Sequence, residues 1–297
     1  MLEVLVTGAG GFIGGRLVGR LVQRDDSVSA LLRGKEGYEM GARMVKGDLT
    51  IPDFELKDVP CEVVYHLAAV WPGEKNKKIQ RRINYDGTVN LFSKIRDKAK
   101  FLVYVSGLGV FGDTKGKMID EDTPLNPGTE YARIRLEAQE FLKENCSKCG
   151  ISFSVAYLGD VYGNGGWFRS MMVERIMRNS FRILGDGKYY RSFIHVEDAV
   201  SALISIAEKN QKGQSFVLTD SNPVAFSEFV NFVCSRLGKD VPGTIPAFIA
   251  RPSLGSDFVT LLTTSTRASN SKMLKMTSLS FPSYTDGVES VMAEMRP

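Results

Sequence analysis

Eight residues near the start of the chain, Thr7-Gly8-Ala9-Gly10-Gly11-Phe12-Ile13-Gly14, have the spacing of a phosphate cradle. The glycines have separate jobs in such a turn. Gly8 lets the chain reverse sharply, Gly11 removes a side chain where a pyrophosphate must approach the backbone, and Gly14 lets the next helix pack close to the strand. Free N–H groups at the helix start, aided by the helix dipole, then hold the phosphates. Gly10, Phe12 and Ile13 lie within the same stretch and are expected to touch the dinucleotide with them. A tight turn with incidental glycines is the plain alternative, and the flanking elements decide between the two.

Those elements have the required order. Leu2-Glu3-Val4-Leu5-Val6 reads as a buried strand, and Arg16 to Val22 has the apolar spacing of a helix. Further strands are predicted at Val28–Leu32, Ala42–Asp48, Val63–Leu67, Phe101–Val105 and Ser152–Tyr157, with helices over Asn84–Lys98 and Glu130–Lys143. This alternation implies an α/β fold: a doubly wound parallel sheet of Rossmann type with helices on both faces. Ligands of such sheets lie at the carboxyl ends of the strands, where the glycine turn, Ala68, Ser106 and Tyr157 would sit. After Gly159 the rhythm loosens, and glycines and prolines cluster at 163–166, 185–187 and 241–252. Residues 1–160 are therefore expected to form the dinucleotide-binding domain, with 190–208 packing back onto it. A smaller, irregular substrate lobe is expected from 161–189 and 209–297.

The second strand bears on the choice of cofactor. An acidic residue after it often holds the adenosine ribose hydroxyls, but here the sequence reads Leu32-Arg33-Gly34-Lys35. Arg33 and Lys35 could meet a 2′-phosphate, so NADP is favoured over NAD. An Arg33 that stacks on adenine or faces water is the other reading. Asp48 and Leu49, after the third strand, could accept from the adenine amino group and pack its ring.

Composition narrows the class. The 297 residues suffice for one large domain or two modest ones. Lys and Arg number 38 against 34 Asp and Glu, a mild excess that suits a phosphate-bearing ligand without requiring nucleic acid. The basic run Lys75 to Arg82 reads as a solvated helix face. No apolar run approaches the roughly 20 residues of a membrane span. The first strand follows the N-terminus directly, so a cytoplasmic protein without a signal peptide is expected. Cys146-Ser-Lys-Cys149 has no second pair, and the chain has 2 histidines, so neither zinc nor any other metal is expected.

Several stretches together resemble the extended short-chain dehydrogenases/reductases, the NAD-dependent epimerase/dehydratase group. They are the glycine motif, Val64-Tyr65-His66-Leu67-Ala68-Ala69, Asn84-Tyr85-Asp86-Gly87-Thr88 and Val161-Tyr162-Gly163-Asn164-Gly165. The block from Gly185 to Asp198 and the tail from Ser271 to Val288 extend the likeness over nearly the whole chain. The resemblance implies hydride transfer between a nicotinamide and a substrate carbon. It also adds Leu67, Ala68, Ala69 and Tyr157 to the cofactor contacts and suggests a homodimer.

The same resemblance makes Tyr131 the acid or base, in Tyr131-Ala-Arg-Ile-Arg135, with arginine where the family carries lysine. Bringing a tyrosine from pKa about 10 to 7 takes roughly 4 kcal/mol. A cation about 4 Å away at an effective dielectric near 20 supplies about that much. Arg135 is thus expected to lower the Tyr131 pKa and to share in cofactor binding, although its planar fork differs from an ammonium. The family's Ser or Thr position falls on Gly107, which leaves Ser106, one residue early, as the candidate hydroxyl. Arg191 is expected near a substrate diphosphate and Asn164 in the substrate pocket. A nucleotide-linked sugar is the first expected substrate. An apolar carbonyl compound reduced by NADPH is the alternative, and a non-catalytic dinucleotide-binding protein the third reading. His195 and Asp198 are expected to tie their block to the main domain.

Overall fold

The computed structural model describes residues 2–34, 41–209 and 211–295. Apolar residues at Val4, Leu5 and Val6 are fully buried, as a strand covered on both faces requires. This strand, β1 (Glu3–Thr7), lies in a seven-stranded parallel sheet with β2 (Ser27–Leu32), β3 (Arg43–Lys46), β4 (Val63–His66), β5 (Phe101–Gly107) and β6 (Ser152–Leu158). The seventh strand is Ser215–Leu218, paired to β6 at the edge beyond it. The order is Ser215–Leu218, β6, β5, β4, β1, β2, β3, so the strand order reverses between β1 and β4.

Alternation along the strands divides the core in two. Val103 and Val105 of β5 join a cluster with Leu17, Val18 and Leu21 of helix α1 (Phe12–Val22) and with Val200 and Leu203 of the helix Val196–Glu208. Leu102 and Tyr104 point the other way. They meet helices α3 (Gly87–Ile95) and α4 (Glu130–Lys148) through Leu91, Ala138 and Leu142. A π-helical turn at Arg82–Asp86 joins α2 (Lys77–Arg81) to α3.

Phe168, Val173, Phe229, Val233, Tyr284 and Val291 form a third, smaller core in the C-terminal half. The strand Ser215–Leu218 does not belong to it. Expected in the lobe, this segment reads Ser-Phe-Val-Leu, too short for its periodicity to separate it from a loop, and the open edge of β6 pairs with it. The helix Val196–Glu208 packs against the sheet. His195 caps its start, and Asp198 accepts from the Ser280 and Phe281 amides at 2.8 and 2.9 Å.

Candidate active site

The glycine turn leaves β1 at Gly8, which has φ +70°, and any Cβ there would sit 2.8 Å from the Ala68 nitrogen. A Cβ on Gly14 would fall inside the van der Waals shell of the Gly8 carbonyl oxygen. Gly10 and Gly11 are exposed at the mouth of the turn, and Gly11 caps α1 with no side-chain hydrogen bond and no acidic residue in the first turn. The helix therefore offers its first amides, and their partial positive charge, to an external anion. Phe12 and Ile13 are half-buried. The Phe12 ring lies under Gly163, Gly165 and Gly166, where added Cβ atoms would come within 2.7 to 3.1 Å of their nearest neighbours, Phe12 among them in each case. Arg16 donates to the Asn164 carbonyl at 3.1 Å, while the Asn164 side chain accepts from Arg169 at 2.9 Å. Asn164 thus seats its loop on the start of α1.

Beside the turn runs a chain of buried hydrogen bonds. Ala68 N–H donates to Thr7 Oγ1 (3.2 Å), and Thr7 Oγ1 lies 2.7 Å from His66 Nδ1. His66 Nε2 lies 2.9 Å from Thr88 Oγ1, which gives its own hydrogen to the Asn84 carbonyl at 2.8 Å. For a neutral His66 only one set of hydrogens satisfies all four links, with the ring protonated on Nε2. Burial, helped by the nearby Arg135 charge, pushes its pKa down to about 3. Asn84, turned inward by the π-helical turn, accepts from Val70 N–H at 2.9 Å. The network fixes Leu67, Ala68 and Val70 against the glycine turn; Ala69 is exposed there.

Tyr131 and Arg135 lie one turn apart on α4, above the ends of β4 and β5. The Tyr131 hydroxyl donates to the Val70 carbonyl at 3.2 Å. Arg135 is buried, donates through Nη2 to the Val105 carbonyl and stacks 4.7 Å over the Tyr104 ring. Its other terminal nitrogen, Nη1, is buried with no partner among the described residues, as is Ser106 Oγ. Ser106 shares by alternation the Tyr104 face, which α4 covers. Gly107 opens onto free space: a Cβ there would have its nearest neighbour, the Leu158 carbonyl oxygen, at 3.8 Å.

The Tyr131 pKa moves opposite to the expectation. Burial raises it, and Arg135 only partly offsets the rise. The guanidinium is committed to Val105 and Tyr104, so its charge is not focused on the phenol.

At the adenosine end, Arg33 is exposed and Asp48 half-buried. Burial opposes the Asp48 charge, but the Thr50 amide, at 2.9 Å, and the charges of Arg33 and Arg82 hold its pKa low. Leu49 is buried against Gly87 and accepts from Asn90 at 2.8 Å through its carbonyl. Lys35 lies outside the described residues. Arg82 escaped sequence reasoning because it looks like one more charge in a basic run.

Two predicted residues stand apart from this cluster. Tyr157 faces the α4 side of the sheet, packs its ring edge 4.9 Å from Phe111 and accepts at its hydroxyl from Gln139 at 2.9 Å. Its position at a strand end was right, but its side chain enters the core. Arg191 makes a two-pronged salt bridge to Asp160, 2.6 Å on each prong, and donates to the carbonyls of Leu261 and Thr264 at 2.7 and 3.1 Å. It closes off the end of the helix Ser256–Thr263. Each of its three guanidinium nitrogens has a partner within the chain.

The residues present fit a nicotinamide dinucleotide. A bare glycine turn offers amides to phosphates, and two buried polar atoms, Arg135 Nη1 and Ser106 Oγ, await partners at the end of β5. The NAD dependent epimerase/dehydratase family model matches residues 4–219. The chain belongs to that family. It is an enzyme of the nicotinamide-dependent epimerase, dehydratase and reductase kind. A 4-hydroxy-2-methyl-3-oxo-4-farnesyl-3,4-dihydroquinoline-1-oxide ketoreductase of Stigmatella aurantiaca is 28% identical over 84% of this chain and 78% of its own. A UDP-glucose 4-epimerase of Mycolicibacterium smegmatis is 27% identical over 72% and 76%. The structure of MoeE5 in complex with UDP-glucuronic acid and NAD superimposes with a TM-score of 0.83, at 24% identity, over 98% of both chains. No helix among the described residues is long and apolar enough to cross a membrane, and none of their acidic, His or Cys clusters could hold a metal.

Proposed function

We propose that this enzyme reduces a carbonyl compound with NADPH, and that Tyr131 gives the proton. The observation that carries this reading is the environment of the Tyr131 phenol. It is half-buried with its hydroxyl donating to the Val70 carbonyl at 3.2 Å, burial raises its pKa, and Arg135 does not reverse the shift. A phenol with a raised pKa is a proton donor at neutral pH, which suits reduction; oxidation of an alcohol would need the phenolate.

The bound cofactor supplies a hydride. Tyr131 transfers its hydroxyl proton to the carbonyl oxygen as that oxygen gains negative charge, so C=O becomes CH–OH with one hydride and one proton consumed. Arg135 stays charged throughout and cannot relay a proton. Its Nη1, buried with no partner among the described residues, would bind and orient the cofactor. The phenol recovers its proton from solvent. Among the alternatives for the substrate, the nucleotide-linked sugar loses the support of Arg191 as a diphosphate contact, because that guanidinium is already shared by Asp160, Leu261 and Thr264. The ketoreductase relative supports a carbonyl substrate. NADPH is favoured because Arg33 stands where a ribose-binding carboxylate would otherwise be, with Arg82 close to the same Asp48. A homodimer remains part of the proposal on family grounds.

Absorbance at 340 nm tests the reading. Apolar ketones are expected to oxidise NADPH faster than NADH, with activity level through neutral pH and falling only as pH climbs past the raised Tyr131 pKa. Epimerisation of a UDP-sugar without net loss of absorbance, and no ketone turnover, would point to the sugar reading instead.

A further inference from the structure

Helix α4 begins at the residue before Tyr131, so its first amides locate the phenol. The Ala132 and Arg133 amides are satisfied locally, by Thr129 Oγ1 at 3.2 Å and the Thr129 carbonyl at 3.0 Å. The Glu130 and Tyr131 amides are satisfied from far along the chain. Both donate to one oxygen of Asp257, at 3.1 and 3.4 Å. Asp257 belongs to the C-terminal helix Ser256–Thr263, and its charge also favours the positive end of the α4 dipole. That same oxygen takes the Lys77 ammonium at 2.9 Å.

Lys77 ends a strap that starts at Val70. Three contacts fasten the strap to the C-terminal segment: the Trp71 ring meets Phe258 edge-on at 4.8 Å, Lys75 donates to the Pro252 carbonyl at 3.1 Å, and Lys77 pairs with Asp257. A cleft of about 210 Å³ lies between the two walls. Tyr131 is consequently held at both ends by one unit. Its hydroxyl donates to Val70 at the head of the strap, and its amide donates to Asp257, which grips the strap's tail.

We propose that Asp257 is a positioning residue for Tyr131, setting the phenol relative to the strap by capping α4 from the C-terminal half. The proposal rests on the reading of Tyr131 as proton donor. Asp257 acts through the main chain. The charges that bear on the phenol's pKa come from Arg135 and not from this carboxylate, whose charge Lys77 balances. It should therefore move kcat without moving cofactor affinity.

The test uses the full chain with Asp257→Ala and Asp257→Asn. Asp257→Ala is expected to lower kcat for carbonyl reduction about tenfold, the scale of a small misplacement of a reacting group. KM and the NADPH Kd should stay within about two-fold, because the cradle and the cleft walls keep their own contacts. Asp257→Asn keeps an acceptor oxygen and should restore most of the lost kcat. Hydrogen exchange at the Glu130 and Tyr131 amides should quicken in Asp257→Ala and stay slow in Asp257→Asn. An unchanged kcat in Asp257→Ala overturns the proposal, and so does an Asn variant that recovers nothing. Should the wild type reduce no carbonyl, the functional reading falls on its own, and exchange still decides: unchanged protection in Asp257→Ala sinks the positioning role. If Asp257→Ala does not fold, Lys77→Met decides, since it must lower kcat with NADPH affinity intact.

Discussion

The glycine turn at the start of α1 and the corner around Tyr131 at the start of α4, where we propose proton transfer, are both helix N-termini over the same sheet, yet they are built on different principles. The turn is nearly all main chain. The N-cap of α1 carries no side-chain cap among the described residues, which leaves the helix's first amides to a ligand in the proposed reading, and the turn's shape is enforced by places where a Cβ cannot fit. The α4 start is the reverse. Its first amides are taken, by Thr129 and Asp257, and its candidate chemistry resides in the side chains of Tyr131 and Arg135 on α4 and Ser106 at the end of β5. One end is left open for a ligand to cap; the other is closed so that a phenol stays still. Substitutions at the two ends should therefore separate binding from turnover.

The largest effect is expected at the closed end. Tyr131→Phe removes the proton donor and nothing else, since the ring keeps its place beside Val70. Turnover should fall about 10²- to 10⁴-fold, the usual contribution of a positioned acid. The NADPH Kd should stay within about two-fold by calorimetry. A Phe variant that retains wild-type turnover would remove Tyr131 from the chemistry and with it the contrast between the two ends.

The open end should answer in the opposite way. In Gly14→Ala the new methyl meets the Gly8 carbonyl oxygen, which is backbone and cannot swing aside. Overpacking of this kind costs about 1–3 kcal/mol. Because the strain is relieved by opening the cradle, roughly tenfold to a hundredfold weaker NADPH binding is expected, with kcat at saturating cofactor close to wild type. Equal losses of kcat and affinity would mean that the turn and the corner move as one body.

The same contrast explains what could be read from the chain in advance. The β1 turn was legible because its function is a backbone path, and a backbone path is written in glycine spacing. The six strands were legible as short, mostly apolar runs and both long helices by their helical spacing. Side-chain direction was less so. Tyr157 sits at a strand end, but only the pairing of β5 with β6 and the approach of Gln139 turn it inward. Arg191 lies in a family-like block, but its partners Asp160 and Thr264 are 31 and 73 residues away, and no local signal announces them. The direction of the Tyr131 pKa is not legible from spacing, because a cation one turn away says nothing of how deeply the phenol is buried or of what else the cation binds. The structure divides that charge between a carbonyl and an aromatic face, and the cost of burial wins. Asp257 and the His66–Thr88–Asn84 chain carried one faint mark: Asn84 and Thr88 are four apart, on one face of a helix.

The smallest expected effect is the most discriminating. Gly107→Ser restores a hydroxyl where the related enzymes carry Ser or Thr, and the space is open, with the nearest atom 3.8 Å from the new Cβ. Removing an oxyanion donor from an evolved site costs about 10²–10³ in rate. Adding one here should gain far less, about two- to fivefold in kcat, because in the proposed reading the site works with the donors it has. The candidate donors are Tyr131 and, one residue before the gap, Ser106, whose buried hydroxyl has no partner among the described residues. Pairing Gly107→Ser with Ser106→Ala separates the possibilities. If Ser106 supplies the hydroxyl, its loss is severe alone and is repaired by Gly107→Ser. If the site works with the phenol alone, Ser106→Ala is silent and Gly107→Ser gives the same small gain in both backgrounds. A loss of activity in Gly107→Ser would mean instead that the open space is filled by substrate, and that the missing side chain is what lets a bulky carbonyl compound reach Tyr131.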